Sequence, residues 1–316
     1  ARHVRVVEAV LRALWERAPE RGEAAALFDR VMDWHRWFMT WRSDGGAIFI
    51  THPWEAGRDN APDWDEAMAA IDPVGVAPYT RRDTAHVDPA MRPTKDDYDR
   101  YIWLVERCRR LGWDEARMAE DAPFRVADPG MTFILMGACR DLAHVGRALG
   151  RDVSEIEGWI AELERGAARL WNPAIGAYDA LNLATGAFAG ALTNASYLCW
   201  FGGVDTGGML TLFDDKLERV RYPVPSLDPA SPRFDARRYW RGPTWDIMNA
   251  LIAIGLGNCG HAAQAEALRR RTAALISEHA YAEYSDPQTG APAGGGSFTW
   301  TAAVWLAWAS PSVGKG

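Results

Sequence analysis

Apolar residues recur at intervals of three and four from the start of the chain. Val4, Val7, Leu11 and Leu14 form one series, and Leu27, Val31, Trp34, Phe38 and Trp41 form a second. That spacing puts each series on one face of a helix, and the break near Pro19 predicts an antiparallel pair. The same period predicts helices over residues 95–112, 129–149, 152–171, 190–201, 206–219, 243–256, 261–279 and 298–309. Asp128 followed by Pro129 supplies an N-cap and a first-turn proline. The helix they open is apolar nearly all round through Phe133, Ile134, Leu135, Met136, Cys139 and Leu142. In the next one Val153, Ile156, Ile160 and Leu163 oppose Glu155, Glu162 and Glu164, so one side stays wet. An inner helix followed by an outer one is the pattern of an all-α (α/α) toroid.

Between the helices lie stretches without helical period, at 43–94, 172–189, 220–242 and 280–297, rich in Gly, Pro, Asp and aromatic residues. Loops beyond about 12 to 15 residues in a compact domain are usually functional, so the chemistry is expected on them. Two of them resemble each other. Gly176 to Asp179 leads to Ala184–Thr185–Gly186, and Glu283 to Asp286 leads to Gln288–Thr289–Gly290. This reads as an internal repeat of outer helix, hairpin and inner helix. Nothing in the composition shifts along the chain, so a single domain over residues 1–316 is expected.

The 316 residues are 48% hydrophobic and 24% charged, with a net charge of −7, which excludes a disordered chain. The acidic balance and the lack of a Lys/Arg run argue against nucleic acid as a partner. No apolar run is long enough to span a bilayer and no leader pattern opens the chain, so a cytoplasmic protein is the default expectation. Cys108, Cys139, Cys199 and Cys259 are scattered through helical stretches and predict neither a disulfide framework nor a zinc site. No cofactor is expected. Sixteen tryptophans raise carbohydrate above other ligands, because flat apolar rings stack on sugars.

The densest cluster of chemistry is residues 52–65 (HPWEAGRDNAPDWD), with four carboxylates and two tryptophans in fourteen positions. Taken alone, Asp59 reads as a solvated loop acid or an Asx-turn residue. Residues 239–245 (YWRGPTW) precede an apolar helix, and there Trp240 and Trp245 can be plain core. Glu283 lies in a third cluster, ahead of residues 298–303 (FTWTAA). His52 and His86 read as structural residues, since neither has further ligand residues at metal-binding spacing.

These stretches, together with 81–87 (RRDTAHV) and 92–101 (RPTKDDYDRY), resemble glycoside hydrolase family 63 in the family's own order and over nearly the whole chain. The branch they resemble is that of the glucosylglycerate and mannosylglycerate hydrolases. The resemblance implies an (α/α)6 barrel and hydrolysis of an α-glycosidic bond with inversion. It implies Asp59 as general acid and Glu283 as general base, 283 − 59 = 224 positions apart. Such a pair has its carboxyl groups about 6.5 to 9.5 Å apart, leaving room for a water. By the same resemblance Trp54, Gly57 and Trp240 belong to the sugar site, with core equally open for Trp245 and Trp300. Arg92 and Tyr98 match residues that grip glycerate; the plain alternative for Arg92 is a pair with Asp88 or Asp96 at the helix start.

The chain departs from the family at Ala56 and Ala61, where serine is usual, and at Ser297, where some relatives carry a longer polar side chain. About ten helices are predicted where the family has twelve, and the sequence reads as beginning at the second helix pair. A family N-terminal segment that contributes to the sugar subsite is therefore expected to be absent from the 316 residues. Either preceding residues or a neighbouring copy in a homo-oligomer is then expected to cover Val4, Val7, Leu11 and Leu14. The alternatives are a trehalase-like or α-glucosidase hydrolase with a neutral aglycone, or a carbohydrate-binding remnant. An epimerase on the same barrel is weaker, for want of paired histidines.

Overall fold

The computed structural model describes residues 23–120 and 122–311. The predicted helix through Val4 and Leu14 lies outside them, and so does the pairing predicted for it. Its expected partner is the helix Glu23–Trp41, whose Val31 and Phe38 are buried while Asp33 is exposed. Helices follow at Lys95–Arg110, Pro129–Ala148, Ser154–Arg169, Gly207–Glu218, Asp246–Asn258 and Ala262–His279. A last one, Thr299–Val304, runs on through wider turns to Ala309. The boundaries fall within three residues of those the periodicity predicts.

Packing turns the pattern into a toroid. Pro129–Ala148 is buried on nearly every side and lies against Ser154–Arg169, which keeps its glutamates in water. Asp246–Asn258 and Ala262–His279 repeat the arrangement of inner and outer helix. The all-α (α/α) barrel architecture expected from the sequence is thus the one observed. One hydrophobic cluster runs from Phe28 to Ala293, and a smaller one joins Ala250, Ile276, Val304 and Ala309. Short strands decorate one end: Ser43–Asp44, Ala47–Ile50, Val126–Ala127 and Leu181–Asn182 form a four-stranded antiparallel sheet. It ties the first loop to the start of Pro129–Ala148.

The helix predicted at 190–201 is not formed. Gly190 and Ala191 give their N–H groups to the Asp179 carboxylate, at 2.8 and 3.5 Å, and Thr193 bridges Leu227. With Gly190 at φ 63° and Thr193 and Asn194 paired to residues 226–227, the stretch stays extended, and only Ser196–Cys199 coils, as a 3-10 turn.

Of the internal repeat only the outer helix and the hairpin recur in the first copy, since its inner helix is not formed, and the hairpin turn has a third copy. Asn172, Asn182 and Asp286 each accept from the N–H two residues on, at 3.0, 3.0 and 2.8 Å. Each carbonyl also accepts from a glycine four residues on, namely Gly176, Gly186 and Gly290. Hydrogen bonding therefore equates Asn182 with Asp286, and Asp179 with Glu283. The Thr185–Gly186 and Thr289–Gly290 letters keep this register, whereas the likeness of Asp179 to Asp286 does not. Letter similarity aligns two aspartates, whereas the turn is defined by which side chain caps it.

Candidate active site

The loop at residues 52–65 is held by its own chemistry. His52 N-caps the short helix Pro53–Ala56: its Nδ1 accepts from the Trp54 N–H at 3.0 Å, and its Nε2 donates to the Tyr101 carbonyl at 3.0 Å. Burial lowers its pKa, which keeps the ring neutral, and the two hydrogen bonds fix that tautomer. Gly57 closes the helix at φ 70°, a left-handed cap that a side chain would strain. The chain then turns into Arg58, whose guanidinium is buried between Asp63 at 3.1 Å and Asp128 at 2.9 Å. Burial pushes Asp128 above the usual carboxylate range, against the pull of Arg58. Since Asp128 also caps Pro129–Ala148, this triad bolts the loop to an inner helix.

Asp59 follows directly and is half-buried. The Tyr101 hydroxyl donates to its carbonyl at 2.6 Å. Tyr98 lies close enough to feel its charge, and burial together with Asp83 and Asp59 pushes that phenol up to about 12. Tyr98 therefore keeps its proton and can donate. A capping box starts the helix that carries both tyrosines: Thr94 Oγ1 accepts from Asp97 N–H, and Asp97 accepts from Thr94 N–H. Three residues apart, Tyr98 and Tyr101 share one face, and Trp54 meets both rings at 6.2 and 5.8 Å. Trp54 is 38% exposed, unusual for so large an apolar ring.

Residues 239–245 form an aromatic stack. Trp240 and Trp245 lie face to face at 4.0 Å, and Trp245 stacks on Tyr284 at 4.8 Å. Such pairs add about 0.5 to 1.5 kcal/mol each beyond their burial. Tyr239 sits at φ 43°, and its carbonyl accepts from Trp245 Nε1. Trp240 donates its N–H to Asn60 Oδ1 at 3.2 Å, which joins this stack to the residue after Asp59. Trp240 is almost closed off, at 2% exposure, and its indole N–H is buried without a partner. Trp245 is core, whereas Trp300 is half-buried.

Glu283 lies beside Tyr284 at the foot of the third hairpin. Its Oε2 accepts from Gly295 N–H at 3.0 Å and from Arg92 at 2.5 Å, with a second Arg92 contact to Oε1 at 3.2 Å. Gly294 must lack a side chain, since a Cβ there would stand 2.5 Å from that oxygen. Arg92 lies over Tyr239 at 4.8 Å and near Tyr284 at 5.9 Å. It pairs with neither Asp88, which caps a 3-10 turn, nor Asp96, which binds Arg100. The simple helix-start pairing considered for it is excluded.

Asp59, Trp54, Gly57, Arg92, Tyr98, Trp240 and Glu283 thus fall into one connected region. Sequence reasoning missed Tyr101, Arg58 and Gly295. Tyr101 could have been found at one turn from Tyr98, and Arg58 from its place beside Asp59; the Gly295 contact has no local signal. His52 is structural as expected, and His86 is exposed. No group of His, Cys, Asp and Glu among the described residues could hold a metal.

Residues 3–301 match the family model described as "Mannosylglycerate hydrolase MGH1-like glycoside hydrolase domain". The chain belongs to this family. Mannosylglycerate hydrolase MGH1 of Selaginella moellendorffii is 41% identical over 94% of the chain, which spans 64% of that relative's length. The glucosylglycerate hydrolase of Mycolicibacterium hassiacum is 33% identical over 91% of the chain and 69% of its own length. The family 63 mannosylglycerate hydrolase of Thermus thermophilus, solved in complex with Tris and D-glycerate, superposes with a TM-score of 0.90. That match has 39% identity and covers 96% of this chain and 76% of the other. Within the MGH1-like family, the resemblance read from residues 52–65, 92–101, 239–245 and 283–290 is therefore the correct one, and so is the barrel it implied.

Proposed function

We propose that residues 1–316 form the catalytic barrel of an inverting α-glycosidase that releases hexose from glucosylglycerate or mannosylglycerate. Asp59 is its general acid and Glu283 its general base. The observation that supports this reading most is the Arg92–Glu283 pair, with Tyr98 beside the Asp59 loop, in a chain 33 to 41% identical to hydrolases of those two substrates. A cation and a phenolic donor suit a carboxylate aglycone, and charge-assisted hydrogen bonds contribute roughly 1.5 to 3 kcal/mol each. Trp54, the exposed ring, is the wall for the sugar, with Gly57 and Trp240 packed behind the site.

In the reaction a water gives its proton to Glu283 while its oxygen bonds the anomeric carbon. The glycosidic C–O bond breaks with its electron pair on the glycerate oxygen, which takes the proton from Asp59. Water attacks the face opposite the leaving group, so the first product is the β-anomer.

The test is incubation of the purified protein with glucosylglycerate, mannosylglycerate, trehalose and kojibiose, reading released hexose and following the anomer by proton NMR. Hexose from a glycosylglycerate, first as β, is expected, and Asp59→Asn lowers kcat by roughly 10²-fold or more. Turnover of trehalose alone, or an initial α-product, overturns the assignment.

A further inference from the structure

Arg92 was expected to serve the aglycone, yet its guanidinium is already committed to another carboxylate. Two of its nitrogens hold both oxygens of Glu283, at 3.2 and 2.5 Å, with side chains only 10% and 8% exposed. The cation is clamped by the Tyr239 ring at 4.8 Å, and Tyr239 is itself held at φ 43°. Opposite, Glu283 is fixed by Gly295 N–H at 3.0 Å. The remaining nitrogen, Arg92 Nε, is buried and has no hydrogen-bond partner. Buried donors are rarely left unmade, so that group suits an incoming acceptor.

We propose that Arg92 is a positioning residue for the base: it aims the Glu283 carboxylate at the water, and offers its unpartnered Nε–H to the aglycone carboxylate. One guanidinium therefore links the aglycone to the water that displaces it. The inference rests on reading Glu283 as the general base. Removing one partner of a buried pair leaves the other uncompensated. Without Arg92 the Glu283 side chain loses the fork that orients it and swings toward solvent, which deprives the water of its base. If Arg92 served only the aglycone, its loss would raise KM for glycosylglycerates and touch nothing else.

An α-glycosyl fluoride of the preferred hexose separates the two. It has no carboxylate to bind, and fluoride departs with the C–F electron pair without needing a proton from Asp59. Its hydrolysis still requires the water to lose a proton to Glu283 as the C–O bond forms. We expect Arg92→Met to lower kcat on the fluoride by roughly 10²-fold with little change in KM, and Arg92→Lys, which keeps the charge without the fork, to recover part of it. Wild-type turnover of the fluoride by Arg92→Met, with a raised KM only for glycosylglycerate, overturns the proposal. Should Arg92→Met fail to fold by circular dichroism, Arg92→Lys decides alone: an unchanged kcat on the fluoride overturns the role and a reduced one supports it. Failure of the base assignment shows separately, as wild-type enzyme that cleaves glycosylglycerate while Glu283→Gln still hydrolyses the fluoride at the wild-type rate.

Discussion

At the scale of single residues, the site is governed by charges taken out of water in matched sets. Arg58 has one neighbour in the chain that matters for chemistry, Asp59, and two partners far away in sequence or across the loop, Asp128 and Asp63. Thr193 bonds the same group, donating to Asp63 at 3.2 Å. Breaking a buried ion set by deleting one member costs roughly 3 to 5 kcal/mol, since the others stay buried and unpaired. Arg58→Ala is therefore expected to lower the urea midpoint by that equivalent, and to lower kcat because Asp59 loses its anchored neighbour. A midpoint within error of wild type would show that solvent reaches Asp63 and Asp128 readily. Arg92 and Glu283 are the same physics applied to a pair that has work to do. There the fixed partner holds a carboxylate at the substrate side, where the Arg58 set holds a loop.

At the scale of elements, three hairpins share one turn and differ in what stands three residues ahead of the second and third. Asp179 is tied by Asn172 at 2.9 Å and by the N–H groups of Ala180 and Gly190 at 2.9 and 2.8 Å. Glu283, one methylene longer, takes only Gly295 from its own loop and reaches Arg92. One copy of the repeat is locked as structure, and the other is open to chemistry. Asp286 caps the third turn by accepting from Gln288 and Thr289, while Asn182 caps the second by accepting from Ala184. Losing such a side-chain cap costs about 1 kcal/mol. Asp286→Ala and Asn182→Ala should lower stability by similar amounts, yet only Asp286→Ala should reduce kcat, because its turn aims Glu283. Thermal melts beside steady-state kinetics give the comparison. Equal kcat losses in the two variants would mean the hairpins are coupled through the barrel.

At the scale of the whole molecule, pH reports on groups that the packed helices keep from water. Asp246, at the start of an inner helix, is pushed up to about 7 by burial, and its Oδ1 has no hydrogen-bond partner. Asp179 is raised to about 6, again chiefly by burial. A carboxyl whose folded value lies above its unfolded one, near 3.9, stabilises the fold fully only below that unfolded value. The contribution is lost as pH rises through the folded value, so stability should fall between about pH 4 and pH 7. Asp246→Asn cannot ionise, so its stability relative to wild type should improve from pH 5 to pH 8, with about 1.4 kcal/mol per pH unit as the ceiling. Melting temperatures at the two pH values test this. A constant difference would place Asp246 in contact with solvent or with a cation. No helix of the described residues is long and apolar enough to cross a membrane.

The sequence by itself determined the helices, because a period of three to four is a local property and each amphipathic face needs only one apolar neighbour. It determined the order of inner and outer helices, from which residues are wet, and the family, from motifs spread over the chain. It also picked out Asp59, Arg92, Tyr98 and Glu283 as belonging together, through resemblance; their spacing alone carries no such information across 283 − 59 = 224 positions. Only the tertiary structure decided the rest. The period predicts a helix through residues 190–195, but Gly190 sits at φ 63° and Thr193 pairs with the distant Leu227, which keeps them extended. The register of the hairpins followed the capping side chain and the Thr-Gly pair after it, and not the likeness of Asp179 to Asp286. Above all, whether Arg92 is occupied by Asp88, Asp96 or Glu283 depended on which carboxylate the packing brought within 2.5 Å. An ion pair between remote loops is a property of the packed fold, and no local pattern encodes it.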